Sequence, residues 1–328
     1  MSDHADDNND DYDGDDIFIY RGGRAPLHIT HARIDRSVDE IEEDAFKDCE
    51  RLLAVDTHDG LQKVGYRAFD RCIALRHINL KAAVFIGAFS FSHCTNLLSV
   101  EFGDRLEIIA AGSFTHCSSL QHLKMPSIIS IGLYAFANCS RLTDVELSEQ
   151  LETISGSAFE GCVNLQRITI PLKEHLLDCR AQFDFCNNLA TINVVEGIHK
   201  TFASLHMEEW RHEMSEEISR INMCLDGIDV GRSPRAKSQV IKWWLQSIVH
   251  KMDHYKAEHC RYVKEAISLL ELALWKTKLV GETETSSVEI ERQTKKVKVD
   301  GKIARKEMHL MCCADIVIKN VLPFLQLA

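Results

Sequence analysis

His250 and His254 stand four residues apart in a stretch of helical periodicity, and His259 and Cys260 follow within two more turns. Imidazole and thiol groups at that spacing can share a helix face and ligate a metal ion. The pair lacks an intervening Glu and a further fixed ligand, so solvated helical histidines are the plainer reading and no metal site is assigned. Near the N-terminus Asn9, Asp11, Asp13 and Gly14 match positions one, three, five and six of a calcium-binding loop. Position twelve is then Tyr20 in place of a bidentate Glu, and no helix precedes the loop, so a solvated acidic tail accounts better for these residues. Cys312 and Cys313 border an apolar run, where vicinal cysteines read as core residues more readily than as reactive thiols. The sequence contains no Gly-x-Ser-x-Gly, no phosphate loop and no Gly-x-Gly-x-x-Gly. It therefore assigns no catalytic residue, no cofactor and no metal ligand, and reads as a protein that is not an enzyme.

Seven cysteines tell a different story. Phe-x-x-Cys-x-x-Leu recurs with its Cys at positions 49, 72, 94, 117, 139, 162 and 186, in steps of 22 to 24 residues. A fixed period of that length means one supersecondary unit stacked on itself, each copy burying the apolar face its neighbour cannot bury alone. After each Leu comes a phrase such as Leu75-Arg-His-Ile78-Asn-Leu80, whose first, fourth and sixth residues point inward while its third and fifth face solvent. Stacked copies predict a parallel sheet. A second apolar pair, Leu61 with Val64, Leu106 with Ile109, Ile128 with Ile131 and Leu151 with Ile154, forms the opposite wall together with the Ala-Phe turn. The segment from Pro171 to Ala181 departs from this pattern and predicts a distorted last repeat.

These phrases resemble the BspA-type leucine-rich repeats, whose consensus carries Ile-Gly, then Ala-Phe-x-x-Cys-x-x-Leu, then a short strand. The resemblance covers residues 28 to 195. Three further phrases, His254-Tyr-Lys-Ala-Glu-His259, Leu269-Leu-Glu-Leu-Ala-Leu-Trp275-Lys and Asp315-Ile-Val-Ile-Lys-Asn-Val-Leu-Pro-Phe324, look like a tail shared by diatom leucine-rich-repeat proteins. That likeness implies architecture and an algal origin but no reaction.

The expected fold is an α/β leucine-rich-repeat solenoid of about seven repeats with a C-terminal helical hairpin. Residues 1–16 hold eight Asp and no Lys or Arg, which reads as a disordered acidic tail without the n-region of a signal peptide. Residues 17–196 form the solenoid, with Ile17 to Tyr20 and the strand around Ala32 as its N-terminal cap. In 197–281, Met214, Ile218, Ile221 and Leu225 recur at helical spacing, and a second amphipathic run from about Arg235 to Leu279 follows the turn at Ser233-Pro234. This hairpin is expected to cap the last repeats, with a homodimerisation module as the other option. Adjacent Trp243 and Trp244 cannot both face one partner. Residues 282–309 read as a polar linker containing the basic run Lys295 to Lys298, and 310–328 as an apolar segment that docks back.

Seven of the twelve cysteines share one inward repeat position and behave as small hydrophobes, which implies free thiols and a reducing compartment. The localisation expected is cytoplasmic, with the basic run leaving the nucleus open; no stretch is apolar and long enough for a membrane span. Residues 1–200 carry 18 Lys and Arg against 31 Asp and Glu, a field that disfavours nucleic acid and favours basic partners. The candidate partner-binding residues are the outward strand positions His77, Asn79, Glu101, His122, Lys124, Asp144, Glu146 and Arg167, on what the resemblance implies is a concave sheet. The functional expectation is a non-enzymatic scaffold that binds a protein partner there. The alternative is a structural or adhesive surface repeat protein.

Overall fold

The computed structural model describes residues 12–13, 17–177, 181–195, 207–231 and 233–290. The chain divides into two compact units, Met1–Lys200 with Glu209–His250, and Thr201–Glu208 with Lys251–Ala328. The first holds the solenoid.

Each coil contributes one long strand because alternation in the Leu-x-x-Leu-x-Leu phrase buries every second residue. In His77–Leu80 the residues Ile78 and Leu80 are buried and His77 and Asn79 exposed. The same pattern makes Ile17–Tyr20, His31–Ile34, Ala54–Asp56, His77–Leu80 and Ser99–Phe102 one parallel run, and His122–Met125, Asp144–Leu147, Arg167–Ile170 and Thr191–Val194 a second. The acidic tail read over 1–16 contains a short strand, since Tyr12–Asp13 pairs antiparallel with Phe18 and Ile17. Asn9, Asp11 and Gly14 lie outside the described residues.

The second apolar pair of each coil is also a strand. Glu40–Ile41, Lys63–Val64, Phe85–Ile86, Ile108–Ile109, Ser130–Ile131 and Thr153–Ile154 form a parallel sheet of two-residue strands. Two residues give no alternation to read, so the sequence shows only an apolar wall there. After Ile154 the sheet continues to Leu177 as an isolated bridge, in the segment where the repeat pattern departs. Successive coils approach closely at this wall: a Cβ on Gly65 would stand 2.7 Å from the Ile41 carbonyl oxygen.

In the core runs a column of stacked rings, Phe46, Phe69, Phe91, Phe114, Phe136, Phe159 and Phe183, with centroids 4.9 to 5.8 Å apart. Tyr20 extends it at the N-terminal end. Offset stacking of fully buried rings adds to their area term. From Cys72 to Cys186 each repeat Cys donates its Sγ hydrogen to the Phe carbonyl of the preceding coil, Cys72 to Phe46 at 3.0 Å and Cys186 to Phe159 at 3.1 Å, while Cys49 donates to the Pro26 carbonyl. All seven repeat cysteines are buried and free.

The Phe-x-x-Cys turn takes two left-handed residues in each of the first six coils and one in the seventh. Positive φ occurs two residues before the Phe, at Asp44, Arg67, Phe89, Gly112, Tyr134 and Ser157. It recurs just before the Cys, at Asp48, Arg71, His93, His116, Asn138, Gly161 and Phe185. Gly, Asn and Asp suit such positions, whereas the large side chains cost about 1 kcal/mol each.

Two helices follow, α1 (Met207–Asp226) and α2 (Ala236–Ile290). Both bring polar side chains to the last coil. Asn222 of α1 accepts the Ile192 amide at 2.8 Å. On α2, Lys237 donates to the carbonyls of Asn187 and Leu189 at 2.8 and 2.6 Å, and Ser238 accepts the Phe183 amide. Trp244 is buried while Trp243 is exposed. No proline lies between Ala236 and Ile290 to break the ladder, and α2 runs to Ile290, so residues 282–290, expected as linker, are helical. The remaining linker residues, Lys295 to Lys298 and the expected docking segment 310–328 lie outside the described residues. In the second unit α2 leaves Leu269, Leu272 and Trp275 exposed. No helix is long and apolar enough to cross a membrane among the described residues.

Candidate interaction surface

The outward residues of the long strands stand in register. His77 lies beside Ser99 and Asn79 beside Glu101; His122, Asp144 and Arg167 form one row, Lys124 and Glu146 the next. No strand pairing joins Ser99–Phe102 to His122–Met125, so the eight candidate residues fall into two groups. His122, Lys124, Asp144, Glu146 and Arg167 line a depression of about 590 Å³ together with Val100, Thr169 and Asn193. His77, Asn79 and Glu101 lie outside it.

Cross-strand chemistry organises both groups. Asp144 receives the Arg167 Nε hydrogen bond at 2.6 Å, with His122 Nδ1 3.5 Å from its other oxygen. Lys124 meets Glu146 at 3.1 Å. In the first group Lys81 meets Glu101 at 2.7 Å, and His77 Nδ1 lies 2.7 Å from Ser99 Oγ. Asn79 Oδ1 accepts the Lys81 amide. The acid that the sequence concentrates at Glu101, Asp144 and Glu146 is thus matched cation for carboxylate. Lys81 was not among the candidate residues: it falls one position past the strand pattern, and only an opposite charge in the next coil signals it.

These pairs act on ionisation. Hydrogen bonding from Lys81, reinforced by its charge, holds Glu101 below the usual carboxylate range. For Asp144 partial burial pushes upward, but the hydrogen bonds from Arg167 and Thr143 and the charges of Arg167 and His122 outweigh it and leave the pKa lowered. Both carboxylates are therefore anionic at neutral pH.

His250 and His254 are exposed on α2, and the side chains of His259 and Cys260 lie outside those described. Among the described residues no three His, Cys, Asp or Glu side chains are placed to hold a metal ion.

Parallel ladders of long and short strands, a ring column and a cysteine column repeated coil by coil define a leucine-rich-repeat solenoid. More specifically, the chain belongs to the BspA-type leucine-rich-repeat family: the model of the BspA type leucine rich repeat region matches residues 25–129, 82–189 and 107–211. Among solved structures the chain is similar to a leucine-rich-repeat protein of T. pallidum, at 25% identity and TM-score 0.45 over 54% of this chain and 86% of that one. It is also similar to one from Eubacterium ventriosum, at 24% and 0.39 over 44% of this chain, and to one from Bacteroides ovatus, at 20% and 0.32 over 51%. The chain spans 40% and 61% of the lengths of those last two. A comparison with curated proteins finds none that matches.

Proposed function

We propose that this protein is a non-enzymatic scaffold of the cytoplasm that binds a protein partner on the outward face of its long-strand sheet. The observation that supports the reading is the 590 Å³ depression, where His122, Lys124, Asp144, Glu146 and Arg167 present a fixed pattern of alternating charge. Rows of charge held in register by a rigid sheet are suited to electrostatic matching, which sets specificity and association rate more than raw affinity. The diatom-like tail phrases make algal cells the source in which to look for the partner. The helical hairpin as a dimer contact belongs to the same proposal, with Trp243 the exposed side chain to test.

The test exploits the pairing. Exchanging Lys124→Glu with Glu146→Lys preserves the ion pair but inverts the pattern, so stability is retained while recognition changes. Tagged wild type and the exchange variant are used to capture proteins from the source cells, with melting temperature measured in parallel. A partner held by wild type and lost by an equally stable exchange variant is the expected result. Identical captures by both forms overturn the reading.

A further inference from the structure

The left-handed turns present a second exposed surface along the edge of the solenoid. The backbone there favours Gly, Asn or Asp, yet Tyr134 and Phe185 hold φ of 55° and 59°, with 46% and 47% of their surfaces exposed. A large ring in a left-handed turn costs stability, and nearly half of each residue's surface stays in water, where burial offsets none of that cost. Aromatic side chains kept at such a cost are characteristic of contact surfaces.

Both rings line one depression of about 520 Å³, with Glu160 and Asp184 contributing carboxylates and Arg235 entering from the turn before α2. Asp184 is buried, and its Oδ1 accepts the Ser238 hydroxyl at 3.1 Å. Its Oδ2 lies 3.5 Å from Arg235 Nε, while the Arg235 side chain is itself 77% exposed. A guanidinium therefore reaches the site and is held there by a weak, solvated pair. We propose that this depression takes the guanidinium of an arginine from a basic protein partner, which displaces Arg235, contacts the Tyr134 and Phe185 rings and pairs with Asp184 and Glu160. The chemistry favours arginine over lysine because a planar guanidinium both stacks on ring faces and forks a carboxylate. The acidic balance of residues 1–200 draws such a partner in.

The test uses the full chain and N-acetyl-arginine amide as probe, followed by aromatic 13C NMR, with N-acetyl-citrulline amide as the neutral isostere and N-acetyl-lysine amide as the other cation. Arginine amide is expected to shift the Tyr134 and Phe185 ring signals, more than either control does. Tyr134→Asn and Phe185→Asn, which suit the left-handed turn, are expected to hold or raise the melting temperature and to weaken the probe about fivefold each. Glu160→Gln weakens it without touching the backbone, and Arg235→Gln tightens it by vacating the site. Equal shifts with citrulline or lysine amide, or Asn variants that bind as wild type does, overturn the proposal. The Lys124 and Glu146 exchange leaves this probe's binding unchanged, so the two surfaces fail or stand separately.

Discussion

The backbone amide of Phe183 donates to the Oγ of Ser238 at 2.9 Å, in a place where every earlier coil uses a backbone carbonyl. Phe46, Phe69, Phe91, Phe114, Phe136 and Phe159 each donate to a carbonyl one coil further on, at 2.6 to 2.9 Å. After Phe183 that carbonyl is replaced by a side chain from α2. Ser238 also donates to Asp184, and Asn222 on α1 takes the Ile192 amide in the same manner. The terminal coil of a solenoid carries backbone groups that need partners, and here two helices supply the polar atoms of a coil that does not follow.

Ser238→Ala should therefore destabilise the protein out of proportion to the one oxygen removed. The Phe183 amide and the buried Asp184 carboxylate both lose a partner, and a buried unpaired donor costs about 1–3 kcal/mol. Urea denaturation should show a lower midpoint with an unchanged slope if the whole solenoid unfolds as one unit. A midpoint equal to that of wild type contradicts the capping role of the helix.

The ring column and the outward row should respond very differently to truncation. Phe136 and Leu142 are fully buried, so replacing either by Ala should cost about 2–5 kcal/mol through lost burial and a residual cavity. Glu146 is exposed and meets Lys124 at the surface, so Glu146→Ala should stay within about 0.5 kcal/mol. Thermal melts of the three variants measure this directly. Comparable losses at Phe136 and Glu146 are incompatible with the inward and outward assignment.

That assignment was legible because period-2 alternation inside a 22- to 24-residue repeat fixes which residues face inward. Ile78 and Leu80 buried against exposed His77 and Asn79 follow from it directly. The pairing of charges was not legible, because it depends on register between coils: Asp144 meets Arg167 across 23 positions of sequence. Acid counted along the chain at Glu101, Asp144 and Glu146 looks like a negative patch, while in space Lys81, Arg167 and Lys124 match it. The left-handed edge escaped for a related reason. Gly112, Asn138 and Gly161 mark its two columns in single coils, but Arg67, Phe89, His93 and Tyr134 occupy them elsewhere, and the backbone geometry is imposed by the stack. The end of α2 was misplaced because composition at 282–290 suggested a linker, whereas no proline interrupts the helix.

Stability should fall in acid for a reason that can be assigned. Glu101 and Asp144 have pKa values lowered by their cations, so the native state binds fewer protons than the unfolded chain in the range just below the ordinary carboxylate values. Their stabilisation is complete above that range and is lost as pH falls through the lowered values. Asp184 runs the other way: burial raises its pKa, opposed by Ser238 and Arg235, so its contribution diminishes as pH rises from the ordinary value through the raised one. Asp144→Asn should flatten the acid limb of a plot of melting temperature against pH, by about 0.5–1 kcal/mol at its extreme. Asp184→Asn should leave that limb in place.

The cysteine column makes the sharpest contrast between packing and reactivity. Desolvation pushes the Cys49 thiol up to about 11, and burial carries Cys72, Cys94, Cys117, Cys162 and Cys186 well above the ordinary thiol value. Cys139 is raised by the same cause. Only the thiolate attacks an alkylating agent, and these groups are also shielded from it. Cys224 is exposed on α1, within reach of the reagent. Brief treatment of the native protein with iodoacetamide at pH 8, read by peptide mass spectrometry, should therefore modify Cys224 and leave the seven repeat cysteines intact. Denaturation before labelling should expose all of them. Because each Sγ donates to the carbonyl of the coil before it, labelling that begins at Cys186 in Ser238→Ala would report fraying from the capped end inward, coil by coil. Labelling that appears at all seven together would mean the solenoid opens only as a whole.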